Sequence, residues 1–561
     1  MISKLRNMFN EWQERHKEEF KKEQKPEAEF LSESGIPIRR VYTPLDLEEK
    51  GFEYEKDLGM PGDFPYTRGL TPGGYRVEPW SQSLYSGYAT PEESNKLWRE
   101  AVKTGVETVF IAYDLPTQLG YDPDSQMARG EVGKIGVSLT TQKDWEIAFD
   151  GIDLNKVRIS QVPNAVAAFQ VANLIHLAER TGADLNKIRG HCQNDILKEY
   201  TVRGNYIFPP EPSLRLAIDI VSYCRRVVPQ YLTMSVTGLH FSEFQCTPVH
   251  EAAFMLADLY CYLDEALKRG LDIDDLAPSI ELSTGIDHYT FFEEIAKHRA
   301  IRRVFSRAMK ERFNAKNPES LKARIGAAQG GNSLQREQYL NNIARTAITA
   351  VAATLSGVGR LTLRPYDEQY GIPTPEAMMT TTRVKYVITQ ETDILNTVDP
   401  LAGSYFVEWL TSEFEERITK DIEAIDKQGG ALKCIENGYI KRKLVEDAYK
   451  WQKDFEAGKV VRVGANFATT ETVEKPVSVY RTDPKVEQQR IEAVNEVKKW
   501  RDNAKVKKAL DELKAIALLP ASPDNNLMPP IVEAVKCYAT NGEVTGALRE
   551  IWGEHIQRDV F

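Results

Sequence analysis

Cysteine is scarce in this chain: six residues in 561, at positions 192, 224, 246, 261, 434 and 537. None forms a CxxC pair, which argues against a zinc site or a disulfide framework and for a reducing compartment. Long apolar runs are missing too, the longest, near residues 346–355, being too short to cross a bilayer. The N-terminus, MISKLRNMFNEWQERHKEEFKKEQK, carries an apolar helical stripe (Leu5, Met8, Phe9, Trp12) and then dense mixed charge. It lacks the continuous apolar core and small-residue cleavage site of a signal peptide. Basic residues are not in surplus, and with a formal net charge of −10 and no dense Lys/Arg stripe a nucleic-acid face is not expected. There is no GxxxxGK[ST], no GxGxxG between a strand and a helix, and no GxSxG, so phosphate-loop chemistry and ordinary serine hydrolysis lose ground. What remains is a soluble, cytoplasmic globular protein, and 42% hydrophobic with 27% charged residues agrees with that.

The length exceeds what one ordinary core holds, so two or three domains are expected. Residues 1–65, rich in charge, Pro and Gly, read as an arm that docks on another chain or as a solvated terminus. From about residue 105 short β-rich runs alternate with helical patterns: 108–116, 136–139, 157–164, 188–195, 232–243, 277–285, 321–331 and 359–368. Between them, segments such as AAFQVANLIHLAERTG place apolar residues at i, i+3, i+4 and i+7. Eight such runs predict an α/β fold, a (β/α)8 TIM barrel over residues 66–400, with a doubly wound sheet as the alternative. Residues 401–561 read as a helical extension, interrupted by FATTETVEKPVSVY and a Pro/Asp/Asn-rich loop.

Almost every run ends in polar groups: Asp114, Asn164, Gln193 with Asp195, His240 with Glu243, Glu281, Gln329 and Glu368. Helix N-caps alone supply Asp and Asn at such places, but seven such ends converging predict a site. The stretch from Gly190 to Ser213, GHCQNDILKEYTVRGNYIFPPEPS, is the densest of them. His240, behind Gly238, is placed to hydrogen-bond a carbonyl or act as a general acid, although a core histidine satisfied by a backbone carbonyl fits the same position. Arg203 has the group for a bidentate grip on a carboxylate, or is a solvated helix residue; Tyr85 is equally open.

Taken together, TRGLTPGGY, PWSQSLYSGYATPEESN, YDLPTQLGYDPD, GEVGKIGVSL, QNDILKEYTVRGNYIFPPEPS, SVTGLHFSE, KNPES and NTVDPLAGSYFVE resemble, in order and over nearly the whole chain, the large subunit of the acyl-CoA mutases typified by methylmalonyl-CoA mutase. The resemblance implies an adenosylcobalamin-dependent radical isomerase that rearranges a carbon skeleton inside a closed barrel, sealed so that solvent does not quench the radical. It implies that His240 bonds the thioester carbonyl, that Gln193 supports it, and that Arg203 and Tyr85 recognise a free carboxylate, so a dicarboxylic acyl group is favoured. Leu115, Val202, Glu243, Gly331 and Glu368 match positions that line the corrin. The family's DxHxxG motif, whose His ligates cobalt, is not in this sequence, so a separate small cobalamin-binding subunit is implied as partner, with the N-terminal arm as its docking element.

Departures from the family pattern are concentrated where CoA is held. Positions that carry basic or hydroxyl groups in the family are Gly73, Glu78, Ser83, Ser279, Glu281 and Glu319 here, and carboxylates there would repel CoA phosphates unless Arg76 or Lys322 compensates. His191 and Leu239 replace a Thr and a Tyr of the substrate pocket, and Arg364 replaces an Asn near the corrin. These changes imply a remodelled substrate channel with apolar room for a bulkier acyl group. Two rivals stay open: a radical mutase acting on a free acid or a non-CoA carrier, and a metal-dependent barrel hydrolase or lyase using His191, Asp195, His240 and Glu243.

Overall fold

Short apolar and β-branched runs alternating with amphipathic helices form parallel strands, because each strand returns to its neighbour only through a helical crossover. The computed structural model describes residues 2–23, 25–103, 105–470 and 482–557. Its strands are β1 (Ser81–Gln82), β2 (Leu84–Ser86), β3 (Thr108–Ile111), β4 (Arg158–Gln161), β5 (Gly190–His191), β6 (Tyr231–Leu232), β7 (Met234–Thr237), β8 (Ile280–Ile286), β9 (Ile325–Gln329) and β10 (Arg360–Thr362). Every ladder is parallel, in the orders β1-β10-β9-β8-β7, β2-β3-β4 and β5-β6. The three groups connect through single residues: Ser83 lies between β1 and β2, Thr233 between β6 and β7, and a parallel bridge joins Gln161 to Cys192.

Along the strands one face is apolar and the other polar. On β8, Ile280 and Leu282 join the hydrophobic core, whereas Glu281 and Ser283 face cavities. The crossover helices, among them Ala167–Thr181, Pro210–Val227, Pro248–Lys268 and Phe291–Glu311, cover the apolar face. Two corrections to the sequence reading follow. Residues 136–139 contribute only an isolated bridge at Val137, to Ala89 and Tyr113. A Cβ on Gly136 would sit 2.2 Å from the Tyr113 carbonyl carbon, so the segment presses against its neighbour without laddering along it. The segment SQSLYS, with its Ser81, Gln82, Ser83 and Ser86, supplies β1 and β2 instead; its polar composition hid it.

The helix Ile2–Phe20 buries no residue. Helix Tyr405–Asp426 packs on Pro248–Lys268 and Phe291–Glu311, fastened by Arg299, which bonds Asp399 at 2.7 Å and Glu408 at 2.6 Å. Helix Met528–Lys536 packs on Ala167–Thr181. The Thr/Val-rich stretch after residue 466 falls mainly on residues 471–481, outside the described residues.

Candidate functional site

Strands end where their backbone groups turn to cap the following segment, and here those turns are pinned by buried side chains. The turn after β5 is held by Asp195, which accepts from the Thr237 N–H at 2.8 Å and from the Tyr262 hydroxyl at 2.9 Å. Gln193 donates its N–H to Gln161 O at 2.8 Å and accepts from the Asn164 N–H at 3.1 Å, so its position follows β4. Its side-chain Oε1 is buried and has no hydrogen-bond partner. His240 follows β7 in the short helix Leu239–Glu243, entered through Gly238, where a Cβ would come within 2.8 Å of Glu251 Oε1.

These turns surround a cavity of about 360 Å³ at the C-terminal ends of the strands. Tyr85, Gln193, Val202, Arg203, Leu239, His240 and Glu243 all line it, so most residues expected from the sequence are brought together. His240 Nδ1 is buried without a partner. Burial, and then the charges of Lys198, Arg203 and Arg364, hold its pKa well below the ordinary histidine value, so the ring is neutral. Two acceptors take N–H groups from Arg203, Gln118 Oε1 at 2.9 Å and Glu199 Oε1 at 3.4 Å, and further guanidinium donors remain. Glu199 is itself buried and paired with Lys198. The Tyr85 ring packs edge-on against Phe110 at 5.0 Å, and burial raises the pKa of its phenol, which stays protonated.

Arg364 gathers a second group at the rim. It donates to Gln329 O at 3.0 Å and Glu368 Oε1 at 3.2 Å and lies 3.6 Å from Glu243, which in turn accepts from the Gly331 N–H at 3.2 Å. Leu115 opens the helix Leu115–Gln118 that carries Gln118 and does not line the cavity.

His191 faces elsewhere. It lines a second cavity, about 480 Å³, built at the N-terminal ends of the strands together with Glu78, Glu281, Arg158, Arg189 and Arg324. The carboxylates expected to repel an anion there are largely neutralised. Glu281 accepts from Arg360 at 2.9 and 3.1 Å, and Glu319 pairs with Lys322 at 2.5 Å and Arg324 at 3.1 Å. Ser279 donates to Leu276 O, Ser83 Oγ is buried without a partner, and a Cβ on Gly73 would meet Val77 at 2.4 Å. With His191 in the second cavity and Asp195 spent on the turn, the set His191, Asp195, His240 and Glu243 does not converge. Among the described residues no three His, Cys, Asp or Glu side chains group as metal ligands. Phe110, Ser283, Arg360 and Thr362 line the cavity without having been singled out; the alternation Arg360, Thr362, Arg364 was the available signal.

The family model described as methylmalonyl-CoA mutase matches residues 31–554. The chain belongs to the methylmalonyl-CoA mutase family. It is 35% identical over 560 residues to the 2-hydroxyisobutanoyl-CoA mutase large subunit of Aquincola tertiaricarbonis, covering all of this chain and 98% of that one. To the mitochondrial methylmalonyl-CoA mutase of Homo sapiens it is 36% identical over 560 residues, all of this chain against 73% of the human protein. To methylmalonyl-CoA mutase of Rhizobium meliloti (strain 1021) it is 36% identical over 522 residues, 93% of this chain and 72% of that one. These relatives are CoA mutases, and the protein is an isomerase of this acyl-CoA mutase family. No helix among the described residues is long and apolar enough to cross a membrane.

Proposed function

We propose that the protein is the substrate-binding large subunit of an adenosylcobalamin-dependent acyl-CoA mutase that rearranges a dicarboxylic acyl group of the methylmalonyl-CoA/succinyl-CoA type. One observation carries the reading: the Nδ1 of a neutral His240 and a Gln193 carbonyl oxygen, both without partners, share one cavity with an Arg203 that keeps donors to spare. Buried polar groups are ordinarily satisfied, so orphans facing one cavity point to a ligand. His240 donates a hydrogen bond to the thioester carbonyl, Gln193 turns its side-chain amide so that an N–H donates to the same oxygen, and Arg203 takes the free carboxylate bidentately. Tyr85 covers one face of the acyl group, while Phe110, Val162 and Leu239 keep water out.

In this reading the three sheets close, through Ser83, Thr233 and the Gln161–Cys192 bridge, into an eight-stranded (β/α)8 barrel over residues 66–400. Residues 1–65 are the docking arm, supported by a first helix that buries nothing, and residues 401–561 are a helical extension.

Adenosylcobalamin fits the rim. Leu115 and Val202 offer apolar surface, and Glu243 and Glu368 offer acceptors for corrin amide groups. Asn332 Oδ1 beside them is buried without a partner, and a Cβ on Gly331 would meet nothing nearer than Glu243 Oε1 at 3.9 Å. Bound there, the cofactor supplies a carbon-centred radical through homolysis of its cobalt–carbon bond. The lower cobalt ligand comes from a small partner subunit carrying DxHxxG, a reading supported by full-length similarity to a protein named as a large subunit. The CoA tail lies in the second cavity, where Arg158 and Arg189 face its phosphates.

One observation favours a second reading, a free acid or non-CoA carrier: the Glu281–Arg360 pair stands between the two cavities. The test is to combine the chain with its small subunit, adenosylcobalamin and a panel of acyl-CoAs and to follow cob(II)alamin absorbance. Formation with a dicarboxylic acyl-CoA is expected; none with any thioester, but formation with a free acid, would overturn the thioester reading.

A further inference from the structure

Two cavities occupy the strand interior, one at each end, and among the described residues the Arg360 side chain lines both. Its guanidinium donates from Nε to Glu281 Oε1 at 3.1 Å and from Nη2 to Glu281 Oε2 at 2.9 Å, a fork-on-fork pair within the interior. Glu281 also accepts from the Ser235 hydroxyl at 3.2 Å, and its Oε2 lies 3.9 Å from His191 Nδ1. The His191 ring packs edge-on against Phe110 at 4.9 Å, and Phe110 belongs to the upper cavity. Arg360, Glu281 and His191 are each buried. The register accounts for the placement: Arg360 stands opposite Gly326, and Glu281 opposite Ser235. A Cβ on Gly326 would fall 2.4 Å from Arg360 Nη2, so this neighbour is a glycine where the guanidinium needs the space. The result is a charged partition at mid-depth, at the meeting of the two cavities.

We infer that the Glu281–Arg360 pair is a latch that selects the carrier arm of the substrate. The inference rests on the thioester reading, in which the acyl group is in the upper cavity and the carrier's anionic end in the lower one, so the arm must pass the partition. Separating a buried ion pair leaves two desolvated charges and is heavily penalised unless each finds a new partner. An amide in the arm supplies both: its carbonyl accepts from Arg360 and its N–H donates to Glu281. A plain alkyl arm supplies neither. The latch therefore favours amide-bearing arms of the pantetheine kind over hydrocarbon arms, and it closes the reaction cavity from below when no arm is present.

The test measures binding to the full chain by titration calorimetry, with methylmalonyl-CoA, S-methylmalonyl-pantetheine and S-methylmalonyl-hexanethiol as probes. Wild type is expected to bind the pantetheine thioester at least about 10²-fold more tightly than the hexanethiol one. In the double variant Glu281→Ser with Arg360→Ser, which removes both charges together, the hexanethiol thioester gains at least tenfold and the preference narrows. Glu281→Gln with Arg360→Gln, neutral and of similar size, guards against a variant that fails to fold and narrows the preference in the same direction. An unchanged preference in the folded variants, or none in wild type, overturns the latch while leaving the thioester reading standing. If none of the three thioesters binds wild type, the thioester reading fails and the latch with it.

Discussion

Replacing His240 by Ala removes the group on which the proposed chemistry depends most. The imidazole is neutral, because burial and then Lys198, Arg203 and Arg364 disfavour its protonation, and its Nδ1 has no partner within the protein. The variant therefore breaks no internal hydrogen bond, and the fold is expected to survive. What it loses is a preorganised donor to the carbonyl, which in acyl-transfer enzymes is worth about 10²–10³ in turnover. A neutral donor facing a carbonyl that gains little charge belongs at the low end, so turnover is expected to fall about 10²-fold, or about 2.7 kcal/mol of barrier. The assay is steady-state turnover of the assembled enzyme at saturating thioester and cofactor, with cobalamin binding measured separately and unchanged. His240→Gln keeps an N–H and should regain about tenfold. Since the ring is already neutral at ordinary pH, no acid limb near pH 6.5 should arise from it. Turnover of His240→Ala within about threefold of wild type, or an acid limb near 6.5 that His240→Gln abolishes, would refute the reasoning.

Arg203→Lys loses the bidentate fork, so KM for a dicarboxylic acyl-CoA should rise about 10- to 100-fold while that for a monocarboxylic one changes little; equal changes would count against the carboxylate role. Lys297 is fully buried between Glu251 and Glu294, at 2.6 Å from each, and Lys297→Met should cost about 3–5 kcal/mol in urea unfolding by stranding two carboxylates. His191 is held neutral by burial, its pKa lowered to about 3. Below pH 6.5 the unfolded chain takes up a proton that the folded chain refuses, so its stability falls as pH drops from 6.5 towards 3 and is level above 6.5. Between pH 7 and 5, His191→Gln should therefore lose about 2 kcal/mol less than wild type, read from urea midpoints; identical pH profiles would contradict the buried neutral assignment.

The alternation of apolar runs with helical segments made the parallel α/β arrangement legible, and the polar residues at the run ends marked the site. Gln193, Arg203, His240 and Tyr85 lie round one cavity: Gln193 and His240 closely follow β5 and β7, Tyr85 lies within β2, and Arg203 follows the helical turn Leu197–Tyr200 beyond β5. Legibility failed where the interior is polar. Ser81 lines a cavity and Gln82 and Ser83 carry buried polar atoms, so the stretch that forms β1 and leads into β2 has no hydrophobic signature, while GVSL carries one and ladders with nothing. The Glu281–Arg360 pair was hidden for another reason: its partners are 79 residues apart, and only strand register brings them together. Glu281 alone suggested repulsion of an anion; with Arg360 it is a neutral pair.

The account stands or falls on whether this cavity rearranges a dicarboxylic thioester. With the small subunit and adenosylcobalamin present, methylmalonyl-CoA and isobutyryl-CoA would be supplied in turn and the products resolved by mass spectrometry with chromatographic separation of isomers. The account predicts a linear dicarboxylic isomer from the first and little product from the second, with the order lost in Arg203→Lys. Rearrangement of isobutyryl-CoA alone, or the same order retained without Arg203, would contradict it.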